Sequence, residues 1–170
     1  VVILCSCQKK EKEPEAPELS QVFQSQIMKL LEDGTKLNAA TSEGISIRDY
    51  TGMLNDVNGA FELSSTMWPE SFAPEAKDYL QEALQAWNFT KELWASKIEH
   101  SKHLPGDPDI VMGTYREMSA KFQGRITTEQ WESASGIFFP VVHYNKLGAC
   151  LAFASAEFES ARKKLLEALN

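Results

Sequence analysis

Residues 144–170 read YNKLGACLAFASAEFESARKKLLEALN. Tyr144, Leu147, Leu151, Ala154, Phe158, Ala161, Leu165 and Ala168 recur at alternating spacings of three and four. That is the a/d seam of a helix burying one stripe against other helices. The run GACLAFASAEFESA is rich in small residues, which lets a neighbouring helix approach closely. Upstream, Thr127-x-x-Gln130 has capping-box form. Pro140, in FFPVV, should kink or split the helix that begins there. Gly136, four residues earlier, makes room for the proline ring. One bent helix over 137–169 and a break into two both fit.

The same periodicity recurs toward the N-terminus. A first helix is predicted over 19–37 from Val22/Phe23, Ile27, Leu30/Leu31 and Leu37, with Gly34 able to bring its end forward. NAATSEGIS then reads as a loop. Ser46-x-x-Asp49 caps a second helix, whose stripe is Ile47, Tyr50, Leu54, Val57 and Phe61. It must stop near Met67, because Trp68 precedes Pro69. A third helix opens near Pro74, a favoured first-turn residue, and carries Ala76, Leu80, Ala83/Leu84, Trp87, Trp94 and Ile98 to the HLPGDP break. A shorter helix is expected over 108–122, with Asp107 as cap and Gly124 as stop. No segment shows the period-2 alternation of a half-buried strand. The expected fold is all-α: an antiparallel bundle of four main helices plus one shorter one, the last kinked or split near Pro140.

Composition narrows the function. The chain has 170 residues, 43% hydrophobic and 24% charged, which suits one domain with a real core. Its net charge is −7, and no Lys/Arg cluster of the kind a nucleic-acid face needs occurs. The same balance disfavours docking on anionic lipid by charge. No apolar stretch approaches the length of a spanning helix. Three cysteines, Cys5, Cys7 and Cys150, form no CxxC pair, so neither a zinc ribbon nor a thioredoxin-like site is signalled.

The opening run is VVILCSCQKKEKEPEAPE. Its Leu4-Cys5-Ser6-Cys7 resembles the lipobox of bacterial lipoproteins. Leu4 takes the aliphatic place, Ser6 the small place and Cys7 the place of the lipid-modified residue. The resemblance implies that residues 1–6 are the remnant of a signal peptide whose start lies outside this chain, removed on maturation. Cys7 would then be the acylated N-terminus. Gln8 stands where aspartate is associated with inner-membrane retention, so the resemblance favours the outer membrane, with the domain facing the periplasm. Residues 8–18 carry two prolines and no aromatics, and cannot bury enough apolar surface to fold. They read as a tether of about 3 Å per residue. Three regions follow: 1–6 signal remnant, 7–18 lipidated Cys and tether, 19–170 bundle. Cys150 would be left as a lone thiol, and the fold would not rely on disulfides.

Side chains able to carry chemistry are few. His100 and His103, one turn apart beside Glu99, could share a metal, with Asp107 and Asp109 adding oxygens. A helix end favours cations for dipole reasons alone, and Lys102 would repel a metal. His143 and Cys150, seven apart on one helix, would stand about 10.5 Å apart along its axis, too far for a catalytic pair. CxxCH, paired Glu-x-x-His, Gly-rich phosphate loops, HExxH and GxSxG are all absent. Trp68, Phe72, Trp87, Trp94 and Trp131 read as core and corner packing, or as an apolar pocket or partner patch.

The expected role is therefore non-enzymatic, with no cofactor: a lipid-anchored envelope module binding or scaffolding a protein, lipid or glycan. Its first partner would be the bilayer, through acylated Cys7. Two alternatives stay open. One is an enzyme centred on His100, His103, Asp107 and Asp109. The other is a bundle holding a metal or a small apolar ligand among side chains such as Trp87, Trp94 and Phe153.

Overall fold

The computed structural model describes residues 19–103, 110–111, 129–132, 138–143 and 146–170, with side chains over 19–99 and 146–170. Four helices form a bundle. Helix α1, Gln21–Glu43, starts where the Ser20 hydroxyl accepts the Phe23 N–H at 3.2 Å. It ends at Gly44, whose φ of 94° suits a residue without a Cβ. Helix α2, Ile47–Ser65, opens on the expected cap. Ser46 Oγ accepts from the Asp49 N–H at 3.1 Å and donates to Asp49 Oδ2 at 2.7 Å. Helix α3, Pro74–His103, has Pro74 as its first residue. Helix α4, Leu147–Leu169, carries the expected seam from Leu147 onward, with Ala154, Phe158, Ala161 and Leu165 buried.

Side-chain pairs fix the helix directions. Phe23, in the first turn of α1, meets Trp68 and Phe72 beyond the end of α2. Tyr50, in the first turn of α2, meets Trp94 far along α3. Glu75 at the start of α3 pairs with Lys164 near the end of α4. The helices thus alternate in direction, α3 packing chiefly on α4 and α1 on α2. One end of the bundle, the entry end, gathers the start of α1, the end of α2, the start of α3 and the end of α4. With Glu75 beside Lys164 and Trp87 beside Phe158, α3 runs about two turns past the start of α4 at the opposite end.

Gly34 does not bring α1 to an early end. It is buried, and the Phe158 ring of α4 occupies the space where its Cβ would stand. That interhelical contact outweighs the glycine's helix-propensity cost of about 1 kcal/mol, and α1 continues six residues beyond the expected stop at 37.

The all-α expectation is corrected between α3 and α4. Three strands lie there: β1, Ile110–Val111; β2, Glu129–Glu132; β3, Phe138–His143. They pair antiparallel in the order β1-β3-β2, with Trp131 opposite Phe139, Gln130 opposite Pro140 and Val111 opposite Val142. Pro140 therefore kinks no helix; it lies in a strand, and α4 starts at Leu147. Of the capping-box form at Thr127-x-x-Gln130, Gln130 is in β2 and Thr127 lies outside the described residues. Phe138, Phe139, Val141 and Val142 favour extended backbone, while Pro140 would remove a bond from a helix interior. Among the described residues β1 pairs only with Val142 and His143, so β3 is partnered on one side alone at Pro140, where a strand tolerates proline. Of the shorter helix expected over 108–122, Ile110–Val111 is strand and the rest lies outside the described residues.

Candidate functional site

The bundle interior holds a small polar cluster. Tyr50, fully buried, sends its hydroxyl across to the Trp87 carbonyl at 2.8 Å. Thr90, one turn along α3, donates to the Ala86 carbonyl at 2.8 Å. Burial pushes the Tyr50 phenol above its ordinary pKa, Thr90 pulls the other way, and the charge Cys150 would carry adds to the rise. The Cys150 thiol is itself pushed up by burial to about 12. Both groups are protonated at neutral pH, and a protonated thiol is a poor nucleophile. His143 ends β3 while Cys150 lies in α4, so the two do not share a helix as expected. The cluster orders α2 against α3 and offers no activated group.

The aromatic candidates separate. Trp87 is buried against Phe158, ring centroids 5.5 Å apart, and its Nε1 has no hydrogen-bond partner among the described residues. Trp94 is partly buried and tilted against Tyr50 at 5.8 Å. Trp68 and Phe72 were candidates for an exposed patch; both are core residues. Phe23 meets each of them edge-on, at 5.7 and 5.3 Å. Trp68 Nε1 donates to the Phe72 carbonyl at 2.7 Å, closing the turn between α2 and α3. The Lys77 ammonium lies 5.6 Å above the Trp68 ring. Trp131 lies in β2.

His100 and His103 occupy the last turn of α3, at the end remote from the entry of α1. Asp107, Asp109 and Cys7 lie outside the described residues. Among the described residues no three His, Cys, Asp or Glu side chains gather as metal ligands, and no helix is long and apolar enough to cross a membrane.

Residues that the sequence did not single out as a site shape the entry end. An open depression of about 360 Å³ lies between Ala73, Pro74, Glu75, Lys164 and Glu167. Lys164 lowers the Glu75 pKa through a hydrogen bond. Ala73 takes a φ of 38°, a region few residues with a Cβ enter. Nothing at the tripeptide Ala73-Pro74-Glu75 signalled that conformation. A second polar bridge, Asn58 with Asn88 at 3.1 and 3.3 Å, also ties α2 to α3. No protein-family model, curated protein or solved structure matches this chain.

Proposed function

We propose that the chain is a membrane-anchored cell-envelope lipoprotein whose helical bundle serves as a non-enzymatic binding or scaffolding module. The observation that carries the reading is Leu4-Cys5-Ser6-Cys7, followed at once by a charged, proline-bearing string and then by the Ser20 cap of α1. An acyl chain on Cys7 would hold the bundle at the bilayer, the outer membrane in a bacterium that has one. Acylation by a single chain is marginal as an anchor, and multiple chains make it stable. The non-enzymatic half of the reading is supported by the interior. Tyr50 and Thr90 spend their hydroxyl protons on backbone carbonyls, and burial keeps the Cys150 thiol protonated.

The test is made on the full-length precursor expressed in a bacterium with an alkyne fatty acid. Wild type should take up label and fractionate with membranes, and Cys7→Ser should lose both. An unlabelled wild type in the soluble fraction would overturn the anchor and the envelope role together.

A further inference from the structure

Among the described residues, the large apolar side chains left exposed are Val22, Met28, Leu63 and Met67, all on α1, α2 or the turn after it. Three of them belong together. Lys29 pairs with Asp33 at 2.7 Å, which raises its pKa first of all, and Asp56 across the hairpin raises it further. Phe23 packs on Trp68 with ring centroids 5.7 Å apart, so the first turn of α1 and the end of α2 lie side by side, and Lys29 and Asp56 mark the outer seam farther along the same antiparallel pair. Val22 stands seven residues before Lys29, and Leu63 seven after Asp56. Seven residues are close to two turns, so each returns to the same seam. Because α1 and α2 run antiparallel, both are displaced toward the entry end. Met67 lies one turn past Leu63, its N–H bonded to the Ser64 carbonyl at 3.1 Å. Met28, six residues from Val22, falls about 120° away around α1 and is not part of the group.

We propose that Val22, Leu63 and Met67 form a seat for the surface of a zwitterionic lipid bilayer. The proposal rests on the lipoprotein reading above. Two observations select lipid as the occupant. First, the patch lies at the end of the bundle where the chain arrives from Cys7. Eleven residues, 8–18, separate the two, a reach of at most about 40 Å. An anchored domain meets its own bilayer at high effective concentration, so a patch too small to bind from solution is adequate. Second, Glu62 and Glu70 flank the patch and the whole chain carries −7. Anionic headgroups are thereby disfavoured and net-neutral ones accepted. The orientation that follows points the end of α3 away from the membrane.

The experiment uses the full mature chain, acylated, on phosphatidylethanolamine–phosphatidylcholine vesicles containing a lipid spin-labelled near its headgroup. A dye is placed through Met67→Cys, and in a second chain through Arg48→Cys. Arg48 is exposed and lies about 25–30 Å away along α2. Cys150 is buried and escapes labelling. Flotation reports the anchor; quenching reports the seat. The expected result is flotation of both chains, with the dye at 67 quenched and the dye at 48 spared. Adding Val22→Gln and Leu63→Gln, both at exposed positions, should abolish most of the quenching while flotation persists. Flotation with equal quenching at 48 and 67, or quenching indifferent to the two substitutions, overturns the seat alone. Loss of flotation overturns the anchor and the seat with it. A disulfide dimer joined through the thiols introduced at position 67, formed by the unacylated Met67→Cys chain that also carries Cys7→Ser, without lipid and with diamide added as the oxidant, would assign the seam to a second copy and also overturn it.

Discussion

The Tyr50 hydroxyl donates to the main-chain carbonyl of Trp87 at 2.8 Å, a bond between residues 37 positions apart that joins the start of α2 to the middle of α3. A carbonyl inside a helix already accepts its own i+4 N–H, so removing the phenol leaves no orphaned acceptor. Tyr50→Phe should therefore cost only about 0.5–1.5 kcal/mol of stability, read from urea unfolding midpoints at constant slope. A loss of several kcal/mol would show that the hydroxyl holds more than this one bond.

Alkaline pH should destabilise the fold through two buried acids. Burial raises the folded-state pKa of Cys150 from 9.0 to about 12, and raises that of Tyr50 above 10.0. The folded chain holds both protons to higher pH than the unfolded chain does. Their contribution is thus fully present below about 9 and is lost as pH rises toward 12. Cys150→Ala should flatten the fall in unfolding free energy between pH 9 and 11. An unchanged slope would mean that the thiol is not held neutral by the core.

Gly34 and Phe158 make a second test. The Phe158 ring stands where a Cβ on Gly34 would go, and Trp87 backs the ring at 5.5 Å, so it has little room to retreat. Gly34→Ala should destabilise by about 1–3 kcal/mol, despite alanine's better helix propensity. Adding Phe158→Leu should recover part of that loss in a double-mutant cycle. A stabilised Gly34→Ala would show that α1 and α4 are not in close contact there.

Trp68 distinguishes core from patch. Packed on Phe23 and Phe72 and hydrogen-bonded to the Phe72 carbonyl, it should cost about 3–5 kcal/mol when replaced by alanine. A Trp68→Ala chain of unchanged thermal midpoint would return Trp68 to the exposed surface.

Much of the bundle was legible because helix periodicity and burial are the same physical fact. Tyr50, Leu54 and Val57 recur at helical spacing because one face of α2 is buried. The helix starts at Ser46 and Pro74 were legible for a local reason: a side-chain oxygen or a fixed φ acts within one turn. What escaped was decided at long range. Gly34 stays helical because of Phe158, 124 residues away, and nothing adjacent to it says so. The β3 strand was hidden because Pro140 interrupts the period-2 pattern. Its aromatic and β-branched neighbours carried the signal in composition rather than in alternation. The tryptophans show the same limit. Spacing placed Trp87 on the buried face of α3 correctly, but Trp68, outside any helix, could be assigned to core or surface only once the turn between α2 and α3 was folded around Phe23. The lipobox reading rests on four residues and owes nothing to the bundle.

The most direct test of the account is the intact mass of the mature protein, purified from bacterial membranes after expression of the full-length precursor, with tandem mass spectrometry of its N-terminal peptide. The account predicts a mature chain that begins at Cys7, heavier by covalently bound acyl groups on that residue. A chain that retains residues 1–6 and an unmodified Cys7 would contradict it.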